Sequence, residues 1–329
     1  MAVVFSGIQP TGNVHLGNYF GSLVNWVKMQ NEANECFFMI ANQHAITLPQ
    51  NSKELASNTL KLAAILLAIG LDPQKVSLFV QTDIPEHAQF AWILNCIAPM
   101  GQIERMTQFK EKSEKDFEAS TVGLFTYPIL QAADILLYKA TIVPVGIDQA
   151  QHLELTRTLA ERFNRQFKDI FPLPQTLHTE TTKVVGLDGT AKMSKSKNNY
   201  IGLVEDEAVI WDKLSKATTD SARVTRKDPG NPGICNIYTL HKLLSSSETQ
   251  MWSNKGCRSA TIGCIECKRA LCNNIIDIVR PIRERYYDWI SKPDVITDIL
   301  YSGAKKARGK AQETLAEVYE AVGFKYGVL

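Results

Sequence analysis

Short apolar runs alternate with amphipathic stretches through the first half of the chain. Val3 to Ser6, Cys36 to Ala41, Val76 to Gln81 and Thr141 to Pro144 are brief, apolar and followed by turn or polar residues, as buried strands are. Between them Tyr19 to Met29, Ser52 to Ile69, Glu86 to Ile97 and Phe125 to Tyr138 repeat apolar residues at helical spacing. Strand and helix in alternation predict an α/β fold, a doubly wound parallel sheet covered by helices on both faces. Near Gly186 the pattern changes. Gly186 to Ile201 is polar, contains Gly and Lys and has no periodicity, and nothing after it reads as a strand. Glu205 to Ala217, Tyr238 to Leu244, Cys264 to Glu284, Pro293 to Ser302 and Ala304 to Val322 read as helices. A first domain of residues 1–186 and a second, mainly helical one of residues 187–329 are therefore expected.

Composition changes this picture little. With 36 Lys and Arg against 34 Asp and Glu the formal net charge is +2, so nucleic-acid contact has to come from local patches. Lys305, Lys306, Arg308 and Lys310, with Arg280, Arg283 and Arg285 before them, are such patches, and each is equally legible as a solvated helix face. Met1 to Gln9 has no cationic stretch leading into an apolar run, and the apolar segment Leu60 to Gly70 is too short to cross a bilayer. A cytoplasmic location with no membrane contact is expected. Seven cysteines in that compartment do not suggest a disulfide framework. Cys36, in a strand, and Cys96, in an apolar helix, are expected in the core. Cys235, Cys257, Cys264 and Cys267 are separated by 21, 6 and 2 residues, and the closing Cys-x-x-Cys pair is a common chelating unit for zinc or an iron-sulfur cluster. Cys272 could substitute as a ligand, and buried unmetallated thiols are the remaining reading.

Two segments carry phosphate-binding signals. The first strand runs into Gly7-Ile8-Gln9-Pro10-Thr11-Gly12-Asn13-Val14-His15-Leu16-Gly17-Asn18, after which a helical pattern starts. A glycine-punctuated turn of this kind either aims backbone N–H groups and a positive helix end at an anion or is only a tight connection. Its spacing fits neither the dinucleotide fingerprint nor a P-loop. Lys192-Met193-Ser194-Lys195-Ser196, with Lys197 beside it, sets two lysines about a serine. In a loop free to move, such charges gather round a polyphosphate and stabilise a leaving pyrophosphate, or else form a solvated basic loop. Asp134 is a lone charge in the apolar run Ala132-Ala133-Asp134-Ile135-Leu136, either a helix-surface residue or a carboxylate closing an apolar pocket.

Together these segments resemble the signatures of class I aminoacyl-tRNA synthetases. His15-Leu16-Gly17-Asn18 is similar to His-Ile-Gly-His, with an amide at Asn18 in place of an imidazole, and Lys192 to Ser196 matches Lys-Met-Ser-Lys-Ser (KMSKS). Gln9-Pro10-Thr11-Gly12 and the Gly-Asn ending look like the tryptophanyl branch. Asn42 to Thr47, Glu104 to Lys110, Tyr127-Pro128 with Ala132 to Leu136, and Val143 to Gly146 with Asp148-Gln149 extend the resemblance to bacterial tryptophanyl-tRNA synthetases over nearly the whole chain.

The resemblance implies a Rossmann-like catalytic domain and an anticodon-binding helical domain. It implies ATP-dependent attachment of L-tryptophan to tRNA(Trp) through a tryptophanyl-adenylate, with Mg2+ on the ATP, and a homodimer. Gln9, Pro10, Thr11, Gly17 and Asn18 would hold ATP, with Gly146, Ile147 and Asp148 at its ribose and Val185 near its adenine. Lys192, Met193, Ser194, Lys195 and Ser196 would take the phosphates, and Lys192, Ser194 and Lys195 would act in catalysis. Asp134 would accept the indole N–H, because a site built round a polar partner rejects phenylalanine. Tyr127 and Gln149 would hold the substrate amino group, while Phe5, His44 and Gln131 would line the pocket; His44 is as legible as a hydrogen-bonded core histidine. Gln131 stands where the family commonly has Met, and Ile147 where an acidic residue is common. Some bacterial members carry a similar cysteine pattern, with one residue more between the first two, and bind a [4Fe-4S] cluster; the four cysteines would hold that cluster as a structural clamp, or else zinc. Three other readings compete: a tyrosyl-tRNA synthetase, a non-catalytic paralogue and a small-molecule adenylyltransferase.

Overall fold

The computed structural model describes residues 2–32, 35–107, 120–144, 150–177 and 184–326. In chain order its elements are β1 (Val3–Ile8), α1 (Leu16–Asn18, continued by a π-helical turn, Tyr19–Leu23), α2 (Val24–Met29), β2 (Glu35–Ile40), α3 (Asn42–Ala45), α4 (Ser52–Ala68), β3 (Val76–Val80), α5 (Glu86–Ile97), α6 (Met100–Ile103), α7 (Val122–Leu136), β4 (Ile142–Pro144), α8 (Ala150–Gln166) and β5 (Gln175–Leu177). The helices α9 (Glu207–Ser215), α10 (Asn236–Leu244), α11 (Ser247–Arg258), α12 (Cys264–Ile290) and α13 (Pro293–Val322) complete them. Side-chain caps fix several helix starts: Asn51 accepts from the N–H groups of Lys53 and Glu54, Thr121 from Leu124 and Ser246 from Thr249.

The chain forms two compact units. The first comprises Met1–Gly12, Asn25–Thr179 and Lys292–Leu329, and the second Asn13–Val24 and Glu180–Ser291. The first holds a five-stranded, wholly parallel sheet of order β3-β2-β1-β4-β5, the Rossmann-like α/β core that the alternating pattern predicts. β2 from Cys36 onward and all of β3 are buried, which is why they read as continuous apolar runs and not as alternation. Strand order reverses at β1, where the chain goes out to β2 and β3 on one side and returns as β4 on the other. In open parallel sheets ligands bind beyond the carboxyl ends of the strands at such a reversal.

The second unit is helical, with α12 packed on α9, α10 and α11. The described residues depart from the sequence pattern in several places. Pro293 to Ser302 and Ala304 to Val322 are one continuous helix, α13, and it belongs to the first unit. The short α3 and α6, the longer α8 and α11 and the three-residue β5 had no counterpart in the expected elements. Cys96 is exposed on α5 and is not a core residue, whereas Cys36 is buried as expected. No described helix is long and apolar enough to cross a membrane.

Candidate active site

In the first unit a carboxylate is buried at the centre of a polar cluster. Asp134 is 1% exposed, on a face of α7 that helical spacing shares with Tyr127 and Gln131. Its Oδ2 lies 2.6 Å from His44 Nε2, and its Oδ1 is 2.6 Å from His87 Nδ1 and 2.9 Å from Gln81 Nε2, which donates to it. His44 and Gln81 follow the carboxyl ends of β2 and β3, and His87 is in the first turn of α5. Burial alone would push the Asp134 carboxyl up; the charge and hydrogen bond of His44, then the hydrogen bond of His87, hold it down at about 2. It is therefore an anion, ready to accept a further donor.

Aromatic rings enclose this carboxylate cluster. Tyr127 meets the His44 ring edge-on at 6.2 Å, and its hydroxyl lies 2.7 Å from His152 Nε2, with burial pushing its pKa up to about 12. Phe5 on β1 stacks on Tyr138 at 5.2 Å. Sequence reasoning gathered Asp134, Tyr127, Phe5 and His44 here, and the structure brings them together. Gln131 is half-buried on the same helix face. Gln81, His87 and Tyr138 were given no part in advance.

In the second unit the two phosphate signatures meet. His15 and Asn18 cap each other: His15 N–H donates to Asn18 Oδ1 at 3.1 Å, and Asn18 N–H donates to His15 Nδ1 at 3.3 Å. The turn is lashed to the segment after the lysine loop by Leu16 N–H to Ile201 O and Leu203 N–H to Val14 O. A Cβ at Gly17 would stand 2.9 Å from the His15 ring and 3.3 Å from Met193 Cβ, so only glycine lets the turn approach the loop. Met193 itself is buried, its N–H donating to Val184 O, and Val185 bridges Lys192.

The lysine loop, expected to be free, is tied down. Buried Asn199 accepts from Ser194 N–H at 2.8 Å and donates to Asp188 Oδ2 at 2.8 Å and to Lys192 O at 3.3 Å. Burial, then the charges of Lys195 and Lys192, push His15 down to about 4, and burial pushes Lys195 down to about 8. His15 is thus a neutral acceptor beside two cations. Of the residues assigned to ATP, Gln9 is exposed, Pro10 buried and Thr11 half-buried just after β1, and beside them Gly12 takes a positive φ of 91°. Gly146, Ile147, Asp148 and Gln149 lie outside the described residues, as do Gln108 to Lys110.

The second unit also gathers the four cysteines. Cys235 precedes α10, Cys257 is on α11, and Cys264 and Cys267 open α12. Arg223, 9% exposed, directs Nη1 to Cys257 Sγ at 3.8 Å and to Cys264 Sγ at 3.9 Å. Cys267 Sγ lies 3.1 Å from Ser253 Oγ and 3.4 Å from His241 Nε2. Burial, with the other three thiols adding, pushes Cys267 up to about 11 despite the Ser253 hydrogen bond, which works the other way. A Cβ at Gly230 would meet Cys257 Sγ at 2.6 Å. Among the described residues no three ligating side chains stand at metal-binding distance. Of the basic patches, Arg308 is bound to Glu86, Arg280 and Arg283 to Glu207 and Lys310 to Glu313, and Lys305 and Lys306 are exposed on α13.

The sequence matches the family described as tRNA synthetases class I (W and Y) over residues 1–280. It is 47% identical over 328 residues to the tryptophan-tRNA ligase of Deinococcus radiodurans, a match covering 98% of this chain and 99% of that one. The fold is that of the tryptophanyl-tRNA synthetase of Campylobacter jejuni, solved with ADP and tryptophan, at a TM-score of 0.89 and 39% identity over 98% of this chain and 100% of that chain. The tyrosyl-tRNA synthetase of Archaeoglobus fulgidus is similar in fold alone, with a TM-score of 0.67 at 20% identity over 87% of this chain and 90% of that one.

Proposed function

The chain belongs to the class I tRNA synthetases, among the tryptophan-tRNA ligases whose reaction is aminoacylation of tRNA(Trp) with ATP and Mg2+, and we propose that two groups of its residues carry that reaction. The tryptophan carboxylate attacks the α-phosphorus of ATP and pyrophosphate leaves; a ribose hydroxyl at the tRNA 3′ end then attacks the acyl carbon of the adenylate, gives up its proton and takes the acyl group as AMP leaves. No bond to the enzyme forms, so catalysis is positioning and charge stabilisation. Asp134 accepts the indole N–H, Tyr127 and Gln149 hold the amino group, and Phe5, His44 and Gln131 line the pocket. Gln9, Pro10, Thr11, Gly17 and Asn18 hold ATP, with Gly146, Ile147 and Asp148 at the ribose and Val185 at the adenine. Lys192, Ser194 and Lys195 balance the charge that passes to pyrophosphate, with Met193 and Ser196 flanking it. The observation that carries this reading is the contact of Gly17 with Met193, which sets both lysines beside the His15 turn.

A buried guanidinium facing Cys257 and Cys264 and a glycine that leaves room for the Cys257 sulfur support a tetrathiolate group in this unit. Cys235, Cys257, Cys264 and Cys267 would hold a [4Fe-4S] cluster as a clamp between helices; structural zinc is the alternative. Exposed Trp92, Met100 and Val122 on α5, α6 and α7 support a homodimer, and Lys305 and Lys306 offer phosphate contact to tRNA. A cytoplasmic enzyme fits this function.

Amino-acid-dependent ATP-pyrophosphate exchange tests the reading. Exchange is expected with tryptophan alone; Asp134→Ala should raise the tryptophan KM by about tenfold or more with ATP binding intact, and Lys195→Ala should depress kcat by roughly 100-fold. Exchange with tyrosine would move the assignment to the neighbouring branch, and none with any amino acid would favour a non-catalytic paralogue.

A further inference from the structure

Asp134 has two oxygens in unlike surroundings. Oδ2 faces His44, which keeps some exposure, whereas Oδ1 faces His87, which has none. Behind His87 stands Tyr138, also fully buried, its hydroxyl 2.9 Å from His87 Nε2. The Tyr138 ring is locked between Phe5 at 5.2 Å and Phe37 at 4.6 Å.

The proton on that hydroxyl has one acceptor among the described residues, His87 Nε2. Burial, with the charges of Asp134 and Glu86 added, pushes the Tyr138 pKa well up, so the phenol keeps its proton. A buried hydroxyl donates wherever an acceptor is in reach. Nε2 therefore accepts, the imidazole is neutral, and its own proton sits on Nδ1, pointing at Asp134 Oδ1. With the tautomers reversed, Nδ1 would present a lone pair to a carboxylate 2.6 Å away.

We propose that Tyr138 and His87 are positioning residues for tryptophan selection: the phenol fixes the His87 tautomer, and His87 Nδ1–H holds Asp134 Oδ1, leaving Oδ2 as the acceptor for the indole N–H. The inference rests on the role of Asp134 proposed above. Neither residue touches the substrate. Both act through the orientation of one carboxylate, so their loss should affect a substrate that donates a hydrogen bond more than one that does not.

The test compares kcat/KM for tryptophan with that for β-(3-benzothienyl)alanine, in which sulfur replaces the indole N–H, in pyrophosphate exchange by the full-length enzyme. Tyr138→Phe keeps the stacked ring and removes the hydroxyl. His87→Gln keeps an acceptor for the Tyr138 hydroxyl in its side-chain amide oxygen but withdraws the donor that reaches Asp134. Each should lower the preference for tryptophan by about tenfold through its KM, with the ATP KM and the saturated rate little changed. His87→Asn, whose amide can still donate to Oδ1, should retain most of the preference. If Tyr138→Phe does not fold, the two His87 variants carry the same contrast. A role in packing alone would weaken both substrates equally and leave the ratio untouched. An unchanged ratio in Tyr138→Phe or His87→Gln, while Asp134→Asn abolishes it, overturns the pair and leaves Asp134 its role. An unchanged ratio in Asp134→Asn overturns the Asp134 reading, and the inference with it.

Discussion

A proton on His15 would break one hydrogen bond and set a third positive charge beside two others. Nδ1 accepts from Asn18 N–H, and burial with Lys195 and Lys192 pushes the ring down to about 4. In an unfolded chain the same imidazole titrates near its ordinary value of about 6.5. Between these values the unfolded state binds more protons than the folded one, so stability rises with pH and is lost as pH falls through that window. We expect the second unit to lose stability between about pH 6.5 and pH 4, and His15→Asn, which keeps a capping oxygen, to flatten that part of the profile. Denaturant titrations at several pH values check this; an identical slope in the variant would remove His15 from the account. At this scale sequence showed part of the site. Asp134 was legible as a lone charge in an apolar helix. Its three donors lie 90, 47 and 53 residues away along the chain, and a His or Gln at a strand or helix end carries no pattern that names its partner.

Gly303 illustrates the same limit for elements. Sequence reading broke the last helix there, since glycine inside an apolar-periodic run commonly punctuates it. In the structure α13 runs through without a break and lies on β3, the strand that ends the sheet, so close that a Cβ at Gly303 would meet Leu78 O at 2.0 Å. The glycine is there for approach. Gly303→Ala should therefore destabilise the first unit by about 1–3 kcal/mol, although helix propensity alone would give a gain of about 1 kcal/mol. Gly309, on the same helix, has nothing within 4 Å of the added atom, and Gly309→Ala should show that gain. Urea unfolding of the two variants decides between space and propensity, and a stabilised Gly303→Ala would defeat the packing argument. β3 was legible because burial on all sides writes a continuous apolar signal, and α4 because Asn51 caps a helical repeat of apolar residues. β5, three residues of which two are exposed, writes none.

The whole chain divides by contact and not by position. The expected boundary at Gly186 follows a change of pattern, but Asn13–Val24 joins the later residues through Leu16 and Ile201, and Lys292–Leu329 returns to the sheet through Gly303 and Leu78. Neither crossing can be read from a linear change of composition. One consequence is a division of labour: Asp134, His44, Tyr127 and Phe5 belong to the first unit, and the His15 turn, the lysine loop and the four cysteines to the second. If the thiols hold an iron-sulfur cluster, its loss should loosen the unit that carries it. Anaerobically purified protein should then contain iron and absorb near about 400 nm. Cys264→Ser should lose both, lower the melting transition of the second unit and raise the ATP KM, while equilibrium binding of tryptophan stays within about twofold, as for independent sites. Calorimetry and dialysis against labelled tryptophan measure the two halves of that expectation. Iron-free wild-type protein would remove the cluster, leaving zinc or free thiols, and a parallel fall in tryptophan affinity would show that the cysteines govern both units.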